Sequence, residues 1–130
     1  MAARILVIED NPASRELLTY LLGRRGHAVQ VAENGARGWE QVLRTRPDLI
    51  LCDLQMPEVN GYEFIKKLRA HPELSGVQAL TVTAFSMPGD ESKALDAGFD
   101  GYLSKPIDPI TFGDYVEGFL PPELRGRAPE

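Results

Sequence analysis

The chain is short of the residues that staple or metallate small folds. It holds one cysteine, Cys52, and two histidines, His27 and His71. A single thiol excludes an internal disulfide and a Cys-rich metal site, and it suits a reducing compartment. Neither a three-histidine nor a Cys/His zinc set is present. No apolar run approaches the ~20 residues needed to span a bilayer. The start, Met1-Ala2-Ala3-Arg4, has none of the architecture of a signal peptide. Positive charge is also scarce: 14 Lys and Arg face 19 Asp and Glu, a net charge of −5. That balance argues against nucleic acid as the main partner, because such binding relies on a basic surface that neutralises phosphates. What remains is 130 residues, 43% hydrophobic and 25% charged. This describes a single domain with a real core. It is expected to be cytoplasmic and to have room for one site.

Four short apolar segments read as strands: Arg4–Ile8, Ala28–Val31, Leu49–Cys52 and Ala79–Val82. Gly101–Ser104 is a weaker fifth. Helix-like stretches separate them. The first has Asn11 as N-cap and Pro12 at its first position, both favoured there. Leu17, Leu18, Leu21 and Leu22 then span an arc of about 140° at the helical period. Gly26 is the expected stop. Ala36–Arg46, Tyr62–His71, Asp90–Ala97 and Ile110–Leu120 are the other helix candidates. Strand–helix alternation, five times over, predicts a parallel sheet with right-handed crossovers. The first, third and fourth strands are almost continuously apolar, as strands covered on both faces are. The second and fifth are mixed and suit the edges. The expected fold is α/β, a (βα)5 doubly wound five-stranded sheet of flavodoxin-like order 2-1-3-4-5. Residues 1–120 form this domain; the proline-containing tail 121–130 is expected to fray and to be too short for an effector domain.

In open α/β sheets, ligands bind beyond the carboxyl ends of the strands, near the switch in strand order. Glu9 and Asp10 follow the first strand. Asp53 follows the third, Thr83 the fourth and Lys105 the fifth. Three carboxylates in one pocket resist joint ionisation. A hard divalent cation relieves them, and oxygen donors suit Mg²⁺. Lys105 and Thr83 could hold the oxygens of a phosphoryl group. A carboxylate beside a metal and a lysine can serve as nucleophile and form an acyl phosphate. Cys52, inside an apolar run, reads as buried packing. Trp39, at helical spacing from Val42, also reads as packing, and His27 and His71 as surface residues.

Four motifs at the strand ends, Val7-Ile8-Glu9-Asp10-Asn11, Asp53-Leu54-Gln55-Met56-Pro57 with Gly61, Thr83-Ala84 and Lys105-Pro106, together resemble the receiver domain of two-component response regulators. The resemblance runs from about Arg4 to Leu120, and the finer pattern is most similar to receivers of phosphorelays. It implies that Asp53 is the phosphoacceptor, served by a sensor histidine kinase or a histidine phosphotransfer protein. Asp10 would bind Mg²⁺ directly, Glu9 through water and Gln55 through its backbone carbonyl, with Mn²⁺ as a substitute ion. Thr83, the Ala84 amide and Lys105 would bind the phosphoryl group, and Tyr102 would be the switch aromatic. Pro57 and Gly61 would be structural, and Lys105–Pro106 a candidate cis bond, which proline alone makes cheap. Glu9 is a departure, being the less common acid at its position.

The resemblance implies a signalling domain, with self-phosphorylation and autodephosphorylation as its only chemistry. Phosphorylation would alter the face of the fourth helix, fifth strand and fifth helix, where Ser86, Met87, Lys93, Tyr102, Ile110 and Phe112 are expected to be exposed. The output would be contact with a partner protein, as a monomer or a phosphorylation-dependent dimer, with no membrane or nucleic acid involved. A bulky Phe85 beside the site would slow attack by water on the phosphoform. Three rivals remain. A Mg²⁺-dependent aspartyl phosphatase would need a second Asp where Gln55 stands. A flavin carrier would need a phosphate loop where Glu9 and Asp10 stand. A pseudo-receiver would bind partners without phosphorylation.

Overall fold

The computed structural model describes residues 3–54, 60–84 and 88–124. Five strands alternate with five helices: β1 Arg4–Ile8, α1 Pro12–Gly23, β2 Ala28–Ala32, α2 Gly35–Thr45, β3 Leu49–Asp53, α3 Gly61–Ala70, β4 Gln78–Thr83, α4 Asp90–Ala97, β5 Gly101–Ser104 and α5 Phe112–Glu117. The strands form one parallel sheet in the order 2-1-3-4-5, the order expected when the inner and outer character of the strands is joined to the rule for doubly wound sheets. The three inner strands are buried along nearly their whole length, while β2 is largely exposed and β5 only half-buried.

Successive strand residues point to opposite faces, and this sorts the core into two layers. Leu6, Ile8, Ile50 and Cys52 pack with Val42, Phe64, Ile65, Leu68 and Ala94, so α2, α3 and α4 cover one face. Ile5, Val7, Leu49, Leu51, Leu80 and Val82 pack with Leu18, Leu22, Phe112 and Val116, so α1 and α5 cover the other. Trp39 packs edge-on against Phe64, their ring centres 6.1 Å apart, which makes it a packing residue.

Helix starts follow the sequence signals closely. Asn11, Asn34 and Asn60 each cap a helix by accepting a backbone N–H three residues on. Helix ends and exposure depart from expectation in several places. The first helix runs to Gly23 and is closed by Gly26, the expected stop, which sits at φ 89° while the His27 N–H reaches back to the Leu22 carbonyl; Leu17, however, is partly exposed although it belongs to the four-leucine amphipathic face. Leu18 and Leu22 are the buried residues of this helix, and Leu21 is partly buried against the same layer. The last helix is confined to Phe112–Glu117, and Phe112, expected on the exposed switch face, is buried. It anchors the start of α5 onto the sheet, whereas Ile110 is exposed as expected. His27 is also buried, contrary to its reading as a surface residue. At the tail, Pro122–Leu124 forms a 3-10 turn with Leu124 packed on the core.

Candidate functional site

Strand register decides which side chains meet. Ile8 pairs with Cys52, Asp53 with Val82, and Thr83 with Ser104. The inner strands therefore end level. Glu9 lies one residue past β1, Asp53 closes β3, Thr83 closes β4, and Lys105 lies one residue past β5. The Lys105 N–H extends the pairing by donating to the Thr83 carbonyl at 2.8 Å.

The result is an open cleft lined by Glu9, Asp10, Asn11, Pro12, Asp53, Ala84 and Lys105. One carboxylate oxygen from each of Glu9, Asp10 and Asp53 lies within 4.8 Å of the others. Glu9, Asp53 and Thr83 are buried, and Asp10 is exposed at the mouth. Lys105 Nζ donates to Glu9 Oε1 at 2.6 Å and to Asp53 Oδ2 at 3.3 Å. Its closer partner is thus Glu9. The Asn11 N–H also donates to Glu9 Oε2, at 3.2 Å.

The electrostatics follow from this crowding. Burial, and then a shared hydrogen bond with Asp53, raise the Glu9 carboxyl from an ordinary 4.5 to about 7. Two acids this close share a proton more easily than they both ionise. For Lys105, burial favours the neutral amine, but the hydrogen bond to Glu9 and the charges of Asp53 and Glu9 outweigh it. The net effect raises its pKa. Burial pushes the Cys52 thiol well up, so it stays protonated and inert.

Gly61 has a packing reason to be glycine. A Cβ there would lie 2.8 Å from both the Asp53 carbonyl and the Leu54 Cα, so α3 starts directly against the backbone that carries Asp53. The Lys105–Pro106 peptide bond is cis. Ala84 sits at the exposed rim after β4. Tyr102 is half-buried on β5, and its backbone N–H and C=O are both taken by the Tyr115 hydroxyl, at 3.1 and 3.2 Å. Gln55, Pro57, Phe85, Ser86 and Met87 lie outside the described residues.

Two contributors escaped the sequence reading. Arg15, on the second turn of α1, donates from Nη1 to the carbonyls of Glu9 and Asp10 at 3.0 and 3.2 Å. Helical side chains lean toward the helix N-terminus, so an arginine five residues after Asp10 was the available signal. Tyr115 carried no local signal, because its tie to Tyr102 depends on how α5 lies over β5.

The chain is similar to known proteins along most of its length. It is 35% identical over 120 residues to the polar-differentiation response regulator DivK of Brucella anthropi, covering 92% of this chain and 98% of that one. A response regulator structure from Chloroflexus aurantiacus superposes with a TM-score of 0.87 at 27% identity, covering 92% of this chain and 98% of that one. The receiver domain of the sensor histidine kinase PA1611 from Pseudomonas aeruginosa, solved with a magnesium ion in its active-site cleft, gives 0.83 at 28% identity, with 92% and 98% covered. The response regulator receiver domain family matches residues 5–117. With that span, this sheet order and these relatives, the chain belongs to the response regulator receiver domain family of two-component signalling.

Proposed function

We propose that the protein is a phosphorylation-driven switch in which Asp53 accepts a phosphoryl group from a histidine of a sensor kinase or of a phosphotransfer protein. The observation that supports this most is the meeting of three carboxylates and one lysine at the level ends of β1, β3 and β5. A carboxylate oxygen of Asp53 attacks the phosphorus in line with the donor imidazole. The P–N bond breaks as the P–O bond forms, and the leaving nitrogen keeps the electron pair. Charge neutralisation and positioning carry most of such a reaction.

Each neighbour has a task. Lys105, 3.3 Å from Asp53, presents ammonium N–H groups to the phosphoryl oxygens. The Thr83 hydroxyl and the Ala84 amide, at the end of β4, bind the same oxygens from the opposite rim. The carboxylates of Glu9, Asp10 and Asp53, with the Gln55 carbonyl, fit a hard cation such as Mg²⁺ or Mn²⁺, which supplies charge neutralisation when bound. The phosphoryl group adds up to two negative charges. Thr83 moves toward it, Tyr102 turns into the vacated space, and the α4–β5–α5 face changes for a partner protein in the cytoplasm. The equilibrium shifts only by the partner's differential affinity for the two states.

The test is incubation with acetyl phosphate plus Mg²⁺. A phosphoryl mass increment is expected on the wild-type chain and none on Asp53→Asn. A mass gain that survives the substitution would move the acceptor elsewhere. No gain in the wild type would favour an interaction module that works without phosphorylation.

A further inference from the structure

The β1–α1 turn carries two of the three carboxylates, and it holds them by different means. The Glu9 side chain is buried and reaches both Lys105 Nζ and the Asn11 N–H. The Asp10 carboxylate is exposed, and it has no hydrogen-bonded or ion-paired protein partner among the described residues. The place from which it reaches into the cleft is therefore set by the backbone that carries it. Among the described residues, the one side chain that grips that backbone is Arg15, whose Nη1 reaches the Glu9 and Asp10 carbonyls together. The Arg15 N–H bonds the Asn11 carbonyl at 3.0 Å, and Asn11 caps the same helix. Arg15 thus fastens two successive peptide planes of the turn to the first turns of α1. A planar guanidinium, with several donors in a fixed fork, suits that task better than an ammonium.

We propose that Arg15 is a positioning residue: it holds the turn so that the Glu9 and Asp10 carboxylates present themselves to a divalent cation. This rests on the metal reading given under the proposed function. The plain alternative is that Arg15 acts through charge. A guanidinium on the backbone of two of the three acids adds positive charge near the site and repels an incoming cation, so removing it would strengthen divalent binding. Positioning demands the opposite sign, because an untethered turn has to be ordered on binding. Outer groups that orient metal ligands typically contribute about 10–100-fold in affinity.

The experiment titrates the full chain with Mg²⁺ by calorimetry and with Mn²⁺ by electron paramagnetic resonance. Arg15→Ala is expected to weaken binding about tenfold, at the low end of that range. Arg15→Lys keeps the charge and the stem but loses the fork, and it recovers at most part of the loss. Arg37→Ala removes a neighbouring guanidinium of the same surface depression, one that touches neither carbonyl, and leaves affinity unchanged or slightly tighter. Melting of each variant in EDTA separates loss of fold from loss of the ion. Arg15→Lys keeps the proposal falsifiable if Arg15→Ala folds poorly. Unchanged or tighter binding in a folded Arg15→Ala or Arg15→Lys protein overturns the proposal. A wild-type chain that binds neither ion overturns the metal reading, and this inference falls with it.

Discussion

Two buried glutamates sit at opposite ends of the sheet and live in opposite company. Glu117, at the end of α5, is fully served. Arg25 Nη1 donates to its Oε1 at 2.8 Å, and His27 Nε2 lies 2.7 Å from its Oε2. The Ala3 N–H donates to His27 Nδ1 at 3.0 Å, so the hydrogen-bond pattern places the ring proton on Nε2, facing Glu117. Arg25 Nη2 also reaches Asp114 at 3.1 Å. Glu9, beyond the other end of β1, shares Lys105 with Asp53 among the described residues and has a third carboxylate beside it. The first arrangement matches every buried acceptor to a donor, as a structural clamp requires. The second leaves negative charge in excess, which costs stability until a cation or a proton arrives. A buried carboxylate is thus evidence of function only through its neighbours.

The largest expected effect would break the comparison on the functional side. Asp53→Asn should abolish the phosphoryl mass increment entirely. It should leave the thermal melt in EDTA unchanged or higher, because it removes one of three crowded charges. A clear loss of stability would mean that the cluster is held together as the clamp is.

The corresponding change at the other end should have the opposite character. Glu117→Gln leaves the buried Arg25 with only the exposed Asp114 as a charged partner and costs about 3 kcal/mol in urea denaturation, the low end of the range for breaking one side of a buried pair. The folded fraction should still accept a phosphoryl group on Asp53.

pH sharpens the contrast. The Glu9 carboxyl titrates near 7 in the folded chain and near 4.5 when unfolded. Between those values the native state binds the extra proton, so its contribution to stability is present in acid and is lost as pH rises toward and through 7. The metal-free chain should be more stable at pH 5 than at pH 8 on this account. The full shift corresponds to roughly 3 kcal/mol. Screening in an open cleft reduces this to about 1–2 kcal/mol. Mg²⁺ should reverse the trend, since binding needs Glu9 ionised. Denaturation with and without Mg²⁺ at the two pH values tests this, and Glu9→Gln should flatten the dependence.

The smallest effect concerns how the site end is tied to α5. Tyr115→Phe removes a hydroxyl that bonds both the N–H and the C=O of Tyr102. It should cost about 1 kcal/mol and speed amide exchange at Tyr102. No change in that exchange would show that the edge strand does not depend on the hydroxyl.

Most of the sheet was legible because its signals are local. Continuous apolar runs marked the inner strands and mixed runs the edges. Asn11 before a helical pattern marked the first helix start, and Asn34 and Asn60 turn out to cap two others in the same way. The carboxylates and Lys105 were found because each follows a strand in sequence, and the strand order then brings those positions together. Helix faces were less legible. Phe112 and Leu17 look equally apolar in sequence, yet one is buried and the other is at the margin, and which of the two a residue becomes depends on what its helix packs against. His27 misled for a further reason: both of its ring partners come from other elements, Glu117 lying 90 residues away.

By itself, the sequence determined the alternation of strands and helices, the inner and outer strands, and the chemistry at each strand end. These depend on periodicity, caps and the residue that follows each run. The tertiary structure alone decided which buried charges are satisfied. Register brought Glu9 within 2.6 Å of Lys105, and α5 laid Glu117 between Arg25 and His27. Whether a carboxylate is a clamp or a poised site depends on donors that arrive from distant elements. Their distances and directions are set by packing rather than by any local pattern.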